Sequence, residues 1–245
     1  MLVPTFLRER SGEKLMPWTA GEASHETKKM QLFNWKVIMQ SIYKVFRLRN
    51  SLVIAIVGFI SQGAFNYMST LLPSFTVKEL GWTDQQYSSH YATASLIGGI
   101  GGMLIGGFLI DRYGKKSMVN IYFFLIVVTA LAFGMLKNYW SATWFITGFM
   151  IIYKLIYVFF SIGLFAISMQ CCWKKVSATQ FTLYMTIGNL GRIAGAKLVG
   201  PVRDLFSWEY TIYGLAIFMA ASWLLFQLLN MDHHMKNIDH LESLE

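Results

Sequence analysis

Residues 142 to 169 read ATWFITGFMIIYKLIYVFFSIGLFAISM, and Lys154 is the only charged side chain among them. An apolar run of roughly 20 residues is long enough to cross the hydrocarbon core of a bilayer as a helix. Because lipid offers no hydrogen-bond partner to backbone N–H and C=O groups, a crossing segment must be a helix or part of a closed barrel. The run lacks the alternating pattern of barrel strands, so it predicts a transmembrane helix.

Five further runs of this kind lie along the 245-residue chain, of which 55% is hydrophobic and 14% is charged. We therefore expect an all-α, polytopic membrane protein with six transmembrane helices, rather than a soluble domain. The predicted spans are Leu52 to Leu72, Tyr91 to Ile110, Met118 to Leu136, Ala142 to Met169, Phe181 to Val199 and Tyr210 to Leu229.

The segments before the first span are polar or amphipathic. Residues 1 to 30 mix both charge signs with glycine and proline, which is typical of a cytoplasmic linker without a core of its own. Residues 31 to 50 place apolar and basic positions on opposite faces of a helix. That pattern fits an amphipathic helix in the membrane interface and, equally, a helix docked on protein. The bundle would then occupy 51–230, followed by a cytoplasmic tail at 231–245.

The net charge of +8 makes nucleic acid a conceivable partner. The placement of the cations along the chain decides whether they indicate nucleic-acid binding or membrane topology. Residues 1 to 50 carry nine Lys or Arg, and the loops on the same side of the predicted membrane add six. The opposite loops hold three, and three more lie inside spans. The positive-inside rule then places both termini in the cytoplasm, with the chain in the cytoplasmic (inner) membrane. We expect the lipid bilayer as a partner and no nucleic acid.

The most specific string is GFLIDRYGKK, residues 107 to 116, where the second span ends. It resembles the G-x-x-x-D-R-x-G-R/K-R/K motif of the major facilitator superfamily; the alternative is an ordinary charged loop after a helix. In that family the motif works as a conformational latch at the cytoplasmic face. The resemblance implies a role in this gate for Gly107, Asp111, Arg112, Gly114, Lys115 and Lys116.

Two other strings resemble one branch of the family, which contains AmpG-type muropeptide permeases and acetyl-CoA transporters. RERSGEKLMPW, residues 8 to 18, resembles the start of the central cytoplasmic loop of that branch. SATQ at 177–180, followed by LGR at 190–192, resembles its eleventh helix. The resemblance implies the carboxy-terminal six-helix half of the fold, with residues 1 to 7 as the stub of the preceding helix. It also implies an amino-terminal half, missing or separately encoded, because the family's cavity lies between two halves.

Ionisable groups within the spans are costly in lipid and therefore mark candidate functional sites. Lys154 lies near the middle of the fourth span, about 20 Å from its start, too far for its side chain to reach the interface. Thr147 lies seven residues before it, Ser161 and Ser168 lie seven and fourteen residues after it, and Tyr157 lies three residues on. These positions share a helix face, so they predict a polar seam that lines a cavity.

Arg192 lies past the midpoint of the fifth span, with Asn189 one turn earlier. A guanidinium suits a carboxylate or phosphate ligand, or a structural partner, and both remain open. Gln62 and Asn66, spaced by four residues on the first span, could bind a ligand or join helices. The candidate substrate cavity comprises Gln62, Asn66, Lys154, Tyr157, Ser161, Asn189 and Arg192.

No Asp or Glu falls within the apolar part of any predicted span. The spans therefore present positive charge without an obvious proton carrier, and an anionic solute would balance it. Zinc-protease, hydrolase and phosphate-loop signatures are absent from the sequence, so we predict no enzyme, cofactor or metal site. The expected function is alternating-access transport of an anion, which the resemblance suggests is muropeptide-like or CoA-like. The alternative is a non-transporting membrane fragment or interaction partner.

Overall fold

The computed structural model describes residues 35 to 243, except for the side chains of Trp35, Asp232 and residues 239 to 243. The predicted linker at 1–30 and the stub at 1–7 lie outside the described residues. The chain divides into two compact units, Met1–Lys44 and Val45–Glu245.

All regular structure in the described part is helical, as the sequence predicts. The α-helices are α1 Trp35–Phe46, α2 Arg49–Lys78, α3 Asp84–Gly101, α4 Gly107–Tyr113, α5 Lys115–Met135, α6 Thr143–Gln170, α7 Ser177–Leu205, α8 Trp208–Gln227 and α9 Met231–Ser243. A five-residue π-helical turn, Gly102–Gly106, joins α3 to α4 so that the two form one continuous rod. A single-turn 3₁₀ helix at Lys137–Tyr139 precedes α6, and another at Lys174–Val176 precedes α7.

Five helical segments of the described chain are long and apolar enough to cross a membrane: α2, the α3–α4 rod, α5, α6 and α8. The prediction of a polytopic, all-α membrane protein is confirmed. The expected span at Phe181 to Val199 does form a helix, since α7 has 29 residues and is about 44 Å long. It is less apolar than the other five segments, because it contains polar residues such as Gln180 and Arg192. These side chains turn into the bundle.

The helix boundaries differ from the predicted organisation at both ends of the bundle. The amphipathic helix expected at 31–50 is described from Trp35 and ends at Phe46, while α2 already begins at Arg49. The expected tail at 231–245 contains α9, which the sequence analysis does not assign. His234 anchors α9 to the bundle, because its Nε2 lies 2.9 Å from the carbonyl oxygen of Cys171.

Helices α2 and α7 pack backbone to backbone. A β-carbon on Gly191 would overlap the carbonyl oxygen of Phe59, and one on Gly195 would overlap that of Gly63. The paired positions advance together along both helices, so α2 and α7 run parallel. Small residues allow this approach, which replaces the hydrophobic drive that is absent between helices in lipid.

A second group of glycines, Gly98, Gly102 and Gly106, packs the α3–α4 rod against α6. Gly98 meets the main chain of Lys154, where a β-carbon would lie 3.4 Å from the Lys154 carbonyl carbon. Gly102 and Gly106 are buried, and a β-carbon on either would overlap side chains of α6. The rod therefore holds the middle of α6 in place, which positions the lysine.

The bundle has two chemically different ends. One end, which we call the basic end, is defined by the cations Arg112, Lys115, Lys116, Lys174 and Lys175, which lie where α4, α5 and α7 end or begin. The other, which we call the opposite end, is closed by a cluster of aromatic rings from four segments: Phe75, Phe133, Trp140 and Trp208.

Candidate functional site

Gln62 of α2 joins three helices near the middle of the bundle. Its Oε1 accepts a hydrogen bond from the Tyr157 hydroxyl of α6 at 2.9 Å and one from Nε of Arg192 of α7, also at 2.9 Å. Gln62 and Tyr157 are buried, and Arg192 is half-buried. Three of the seven predicted cavity residues thus meet at one oxygen atom.

Asn66 lies one turn beyond Gln62 and contacts the same arginine in a different way. Its Nδ2 donates to the main-chain carbonyl oxygen of Arg192 at 2.9 Å. This contact leaves the guanidinium untouched and connects α2 to α7. Of the two roles that the sequence leaves open for Asn66, the geometry favours the joining of helices.

A cavity of about 80 Å³ lies between α2, α6 and α7, beside this cluster. Asn189 and Arg192 both line it, as expected for residues one turn apart on a helix. Gln62, Ser168 and Tyr184 add further polar groups, and the other lining residues are apolar or glycine. The full lining is Ile54, Gly58, Gln62, Leu164, Phe165, Ser168, Tyr184, Met185, Gly188, Asn189 and Arg192.

Lys154 contacts aromatic faces. Its Nζ lies 4.3 Å from the ring centroid of Tyr91 and 5.2 Å from that of Phe65. The Arg192 Cζ lies 5.8 Å from the same Phe65 centroid. The two cationic groups are therefore within about 11 Å of each other, since both distances end at one point. Cation–π contacts of this kind partly compensate a charge that has left water.

The sequence analysis does not identify Phe65 and Tyr91 as site residues. Phe65 also stacks on Tyr157, with ring centroids 3.6 Å apart and an interplanar angle of 12°. An aromatic residue between Gln62 and Asn66 on the same span was an available signal, but aromatic side chains are common in apolar runs. Only the packing shows that Phe65 links the two cations.

No carboxylate whose side chain the structure describes pairs with Lys154 or Arg192. An ion pair within the described residues joins Lys137 Nζ to Glu209 Oε2 at 2.9 Å, at the opposite end. The absence of acids that the sequence predicts for the spans therefore extends to the folded surroundings of both cations.

The remaining members of the predicted polar seam are largely satisfied by their own helix. The hydroxyl of Ser161 donates to the Tyr157 carbonyl oxygen at 2.9 Å, and that of Ser168 donates to the Leu164 carbonyl oxygen at 2.8 Å. Ser168 nevertheless lines the cavity, whereas Ser161 does not. Thr147 lies apart from the cluster, where its hydroxyl is 3.1 Å from Nδ1 of His90.

The gate motif at the basic end makes its contacts through its lysines. Lys115 donates to the side chain of Gln170, the last residue of α6, at 3.3 Å. Lys116 donates to the carbonyl oxygen of Leu229, just after α8, at 2.5 Å. Gly114 makes the turn before α5 with φ of +86°, a conformation that favours glycine.

The acidic and arginine positions of the motif face outward from the described helices. Asp111 and Arg112 are exposed, and Asp111 forms no hydrogen bond within residues 35 to 243. The Arg112 guanidinium lies 5.8 Å from the ring centroids of both Phe108 and Tyr113. Gly107 has open space where a β-carbon would lie. No hydrogen-bond donor to Asp111, on Arg112 or on a neighbouring helix, is found among the described side chains.

Comparison with known proteins agrees with this arrangement of long apolar helices around a sparse polar cluster. The family model of the Major Facilitator Superfamily matches residues 3–196 of the chain. The chain belongs to the major facilitator superfamily. Membership supports transmembrane transport as the general function and, with the long apolar helices, an integral membrane protein.

Two curated proteins illustrate how far this major facilitator chain has diverged from its relatives. An uncharacterized protein of Archaeoglobus fulgidus is 27% identical over 198 residues, which are 76% of this chain and 82% of that protein. A putative transporter, AmpG 2 of Rickettsia typhi, is 25% identical over 149 residues, which are 58% of this chain. Those residues span only 35% of the Rickettsia protein.

Proposed function

We propose that this chain is the carboxy-terminal half of a secondary transporter that moves an anionic solute by alternating access. The observation that carries the proposal is the pair of cations, Lys154 and Arg192, which share the ring of Phe65 inside the bundle. No described carboxylate balances them, and uncompensated charge within a membrane is costly. An anion supplied from outside the chain would offset that cost.

The class of anion follows from the resemblance and from the chemistry of the two cations. The similarity of residues 8–18 and 177–192 to one branch of the family, together with a relative named AmpG 2, supports a muropeptide-like or CoA-like solute. Muropeptides carry carboxylates and CoA carries phosphates. Both groups are good partners for a guanidinium, which can offer two parallel N–H donors.

Transport requires a second wall for the cavity. In this superfamily the substrate site lies at the interface of two halves, and the described bundle supplies one of them. The 35% coverage of the Rickettsia transporter supports the half assignment. We place the basic end in the cytoplasm of the inner membrane, with both termini on that side, because Lys and Arg concentrate there.

The gate motif would act at the basic end. Lys115 and Lys116 tie the start of α5 to the ends of α6 and α8, which makes this corner of the bundle one rigid unit. Asp111 and Arg112 remain exposed on it, so we assign them to contacts with the second half. Gly107, which has open space around it in the described helices, would allow close approach of the second half, and Gly114 makes the turn.

The test is uptake by proteoliposomes that contain the complete gene product. Labelled muropeptide and labelled acetyl-CoA are offered in parallel to the wild type, Lys154→Met and Arg192→Met. We expect uptake of one anion by the wild type and its loss in both variants, with membrane insertion unchanged. Lys197→Met is the matched control, because Lys197 is exposed on the same helix as Arg192 and should leave uptake intact. Unchanged uptake in both Lys154→Met and Arg192→Met would refute the assignment.

The Archaeoglobus relative favours a second candidate, a six-helix membrane protein that acts as a partner rather than as a transporter by itself. It is matched over 82% of its length, so it has room for about one half of the fold. Native mass spectrometry of the purified chain distinguishes the candidates. A homodimer, or a complex with a second six-helix protein, supports a transporter assembled from halves. A monomer that shows no uptake supports the partner function.

A further inference from the structure

We propose that Gln62 sets the charge selectivity of this site, by holding Arg192 with a neutral acceptor and by turning its own amide N–H₂ group toward the cavity. The inference rests on the proposed function, and it concerns a side chain without charge. A glutamine and a glutamate have nearly the same shape but opposite consequences for an anion at this position.

The orientation of the Gln62 amide follows from its neighbours. The Nε–H group of Arg192 can only donate, so the atom of Gln62 that lies 2.9 Å from it must be the oxygen. The Tyr157 hydroxyl donates to the same oxygen, also at 2.9 Å. A carbonyl oxygen has two lone pairs, and these two donors occupy both of them.

The amide nitrogen of Gln62 is the atom left over. It forms no hydrogen bond to any described residue. It is also not fully buried, since it is absent from the buried polar atoms that have no partner in this part of the chain. Gln62, Arg192 and Asn189 all line the same cavity. The Gln62 and Arg192 groups at the cavity therefore offer N–H donors, while the oxygen that could have accepted a hydrogen bond is already used.

The neutral acceptor matters because it does not cancel the positive charge of Arg192. A carboxylate in place of the amide would pair with Arg192 and cancel its charge, which would remove the attraction for an anionic solute. The amide fixes the guanidinium at Nε and leaves its positive charge uncompensated. The site is thus pre-organised for an oxygen-rich anion, either a carboxylate or a phosphate.

The sharpest variant is Gln62→Glu. It keeps the oxygen that Arg192 and Tyr157 contact and changes only the cavity-facing NH₂ into a negatively charged oxygen. We expect the KM for the transported anion to rise about tenfold or more, as for loss of a hydrogen bond to a charged group, while the amount of folded protein in the membrane stays unchanged.

Selectivity separates this role from a merely structural one. N-acetylmuramic acid and N-acetylglucosamine differ by a lactyl ether that carries a carboxylate, so they serve as a charged and a neutral competitor of uptake. The wild type should be inhibited at lower concentration by the acid, and Gln62→Glu should lose that preference. General damage to the bundle would instead weaken both competitors by the same factor.

Tyr157→Phe provides a second variant, which removes one of the two donors that orient the amide. Tyr157 is a positioning residue in this scheme, so a severalfold increase in KM with unchanged maximal rate is expected. Tyr67→Phe is the matched control, because it deletes a buried tyrosine hydroxyl that donates to the Thr211 carbonyl oxygen, outside the site. It should leave KM unchanged.

Three outcomes are decisive. Wild-type KM and selectivity in both Gln62→Glu and Tyr157→Phe would overturn the inference while leaving the proposed function intact. If Gln62→Glu does not fold, wild-type selectivity in Tyr157→Phe alone would overturn it. Absence of anion uptake by the wild type would overturn the proposed function itself, together with this inference.

Discussion

Gly195 of α7 lies directly against the main chain of Gly63 in α2, so that a β-carbon on Gly195 would overlap the Gly63 carbonyl oxygen. The obstacle is backbone, which cannot turn aside as a flexible side chain could. Gly195→Ala should therefore force the two helices apart and destabilise the bundle by about 1–3 kcal/mol. Thermal unfolding in detergent would measure the effect as a lower midpoint.

Gly58→Ala is the control for this substitution. Gly58 lies on α2, the other helix of the pair, and a β-carbon there would meet no atom within 4 Å. Alanine is also the better helix former, so the control should be neutral or slightly stabilising. Equal midpoints for both alanine variants would contradict the close packing of α2 on α7.

A second prediction concerns the turn in the gate motif. Gly114 has φ of +86°, which costs an L-residue with a side chain of the order of 1–2 kcal/mol. Gly114→Ala should lower the unfolding midpoint, whereas Gly107→Ala should not, because Gly107 is helical and has free space around it. A drop of the same size in both variants would show that backbone strain at Gly114 is not the cause.

Acidification should weaken the attachment of α9. Nε2 of His234 must donate to the Cys171 carbonyl oxygen, and its Nδ1 is buried without a partner, so protonation would place an unsatisfied charge in the interior. Burial accordingly lowers the pKa of His234 below 6.5. The unfolded chain then binds more protons than the folded one just below pH 6.5, and stability falls as the pH drops through that range.

The measurement is the unfolding midpoint, or protection of α9 from hydrogen exchange, at pH 7.5 and at pH 5.0. The loss on acidification should be smaller in His234→Asn than in the wild type. His233→Asn, in which an exposed neighbour is replaced, should behave like the wild type. An acid sensitivity that His234→Asn retains in full would exclude this histidine as its source.

The two adjacent cysteines should be poor nucleophiles. Both are free thiols, and burial raises the pKa of Cys171 to about 12 and that of Cys172 to about 11. The thiolate is the reactive form, and it would be at least about a hundredfold scarcer at pH 8 than for an ordinary thiol. N-ethylmaleimide should label them much more slowly than a cysteine introduced at exposed Ser141. Comparable labelling rates would show that this end of α6 opens readily.

The bundle helices could be predicted from the sequence to within about seven residues at each end, because an apolar run in lipid has no stable alternative to a helix. The prediction differs most where polar residues flank or interrupt the apolar run. α7 has the expected position but is less apolar than the other spans, and its polar residues Arg192 and Gln180 face other helices rather than lipid. The helix at the chain end, α9, has too few apolar residues to be recognised before its contact with Cys171 is known.

The position of Lys154 and Arg192 inside a membrane bundle without nearby acids follows from the amino-acid sequence, because apolar length and charge placement are local properties. The meeting of Gln62, Tyr157 and Arg192 at one oxygen atom is evident only from the folded chain. Tyr157 and Arg192 lie 95 and 130 positions from Gln62 along the chain, and helix packing alone brings them together. The Phe65 ring between the two cations was decided in the same way, since a periodic pattern shows which face a side chain takes but not what it meets across the interface.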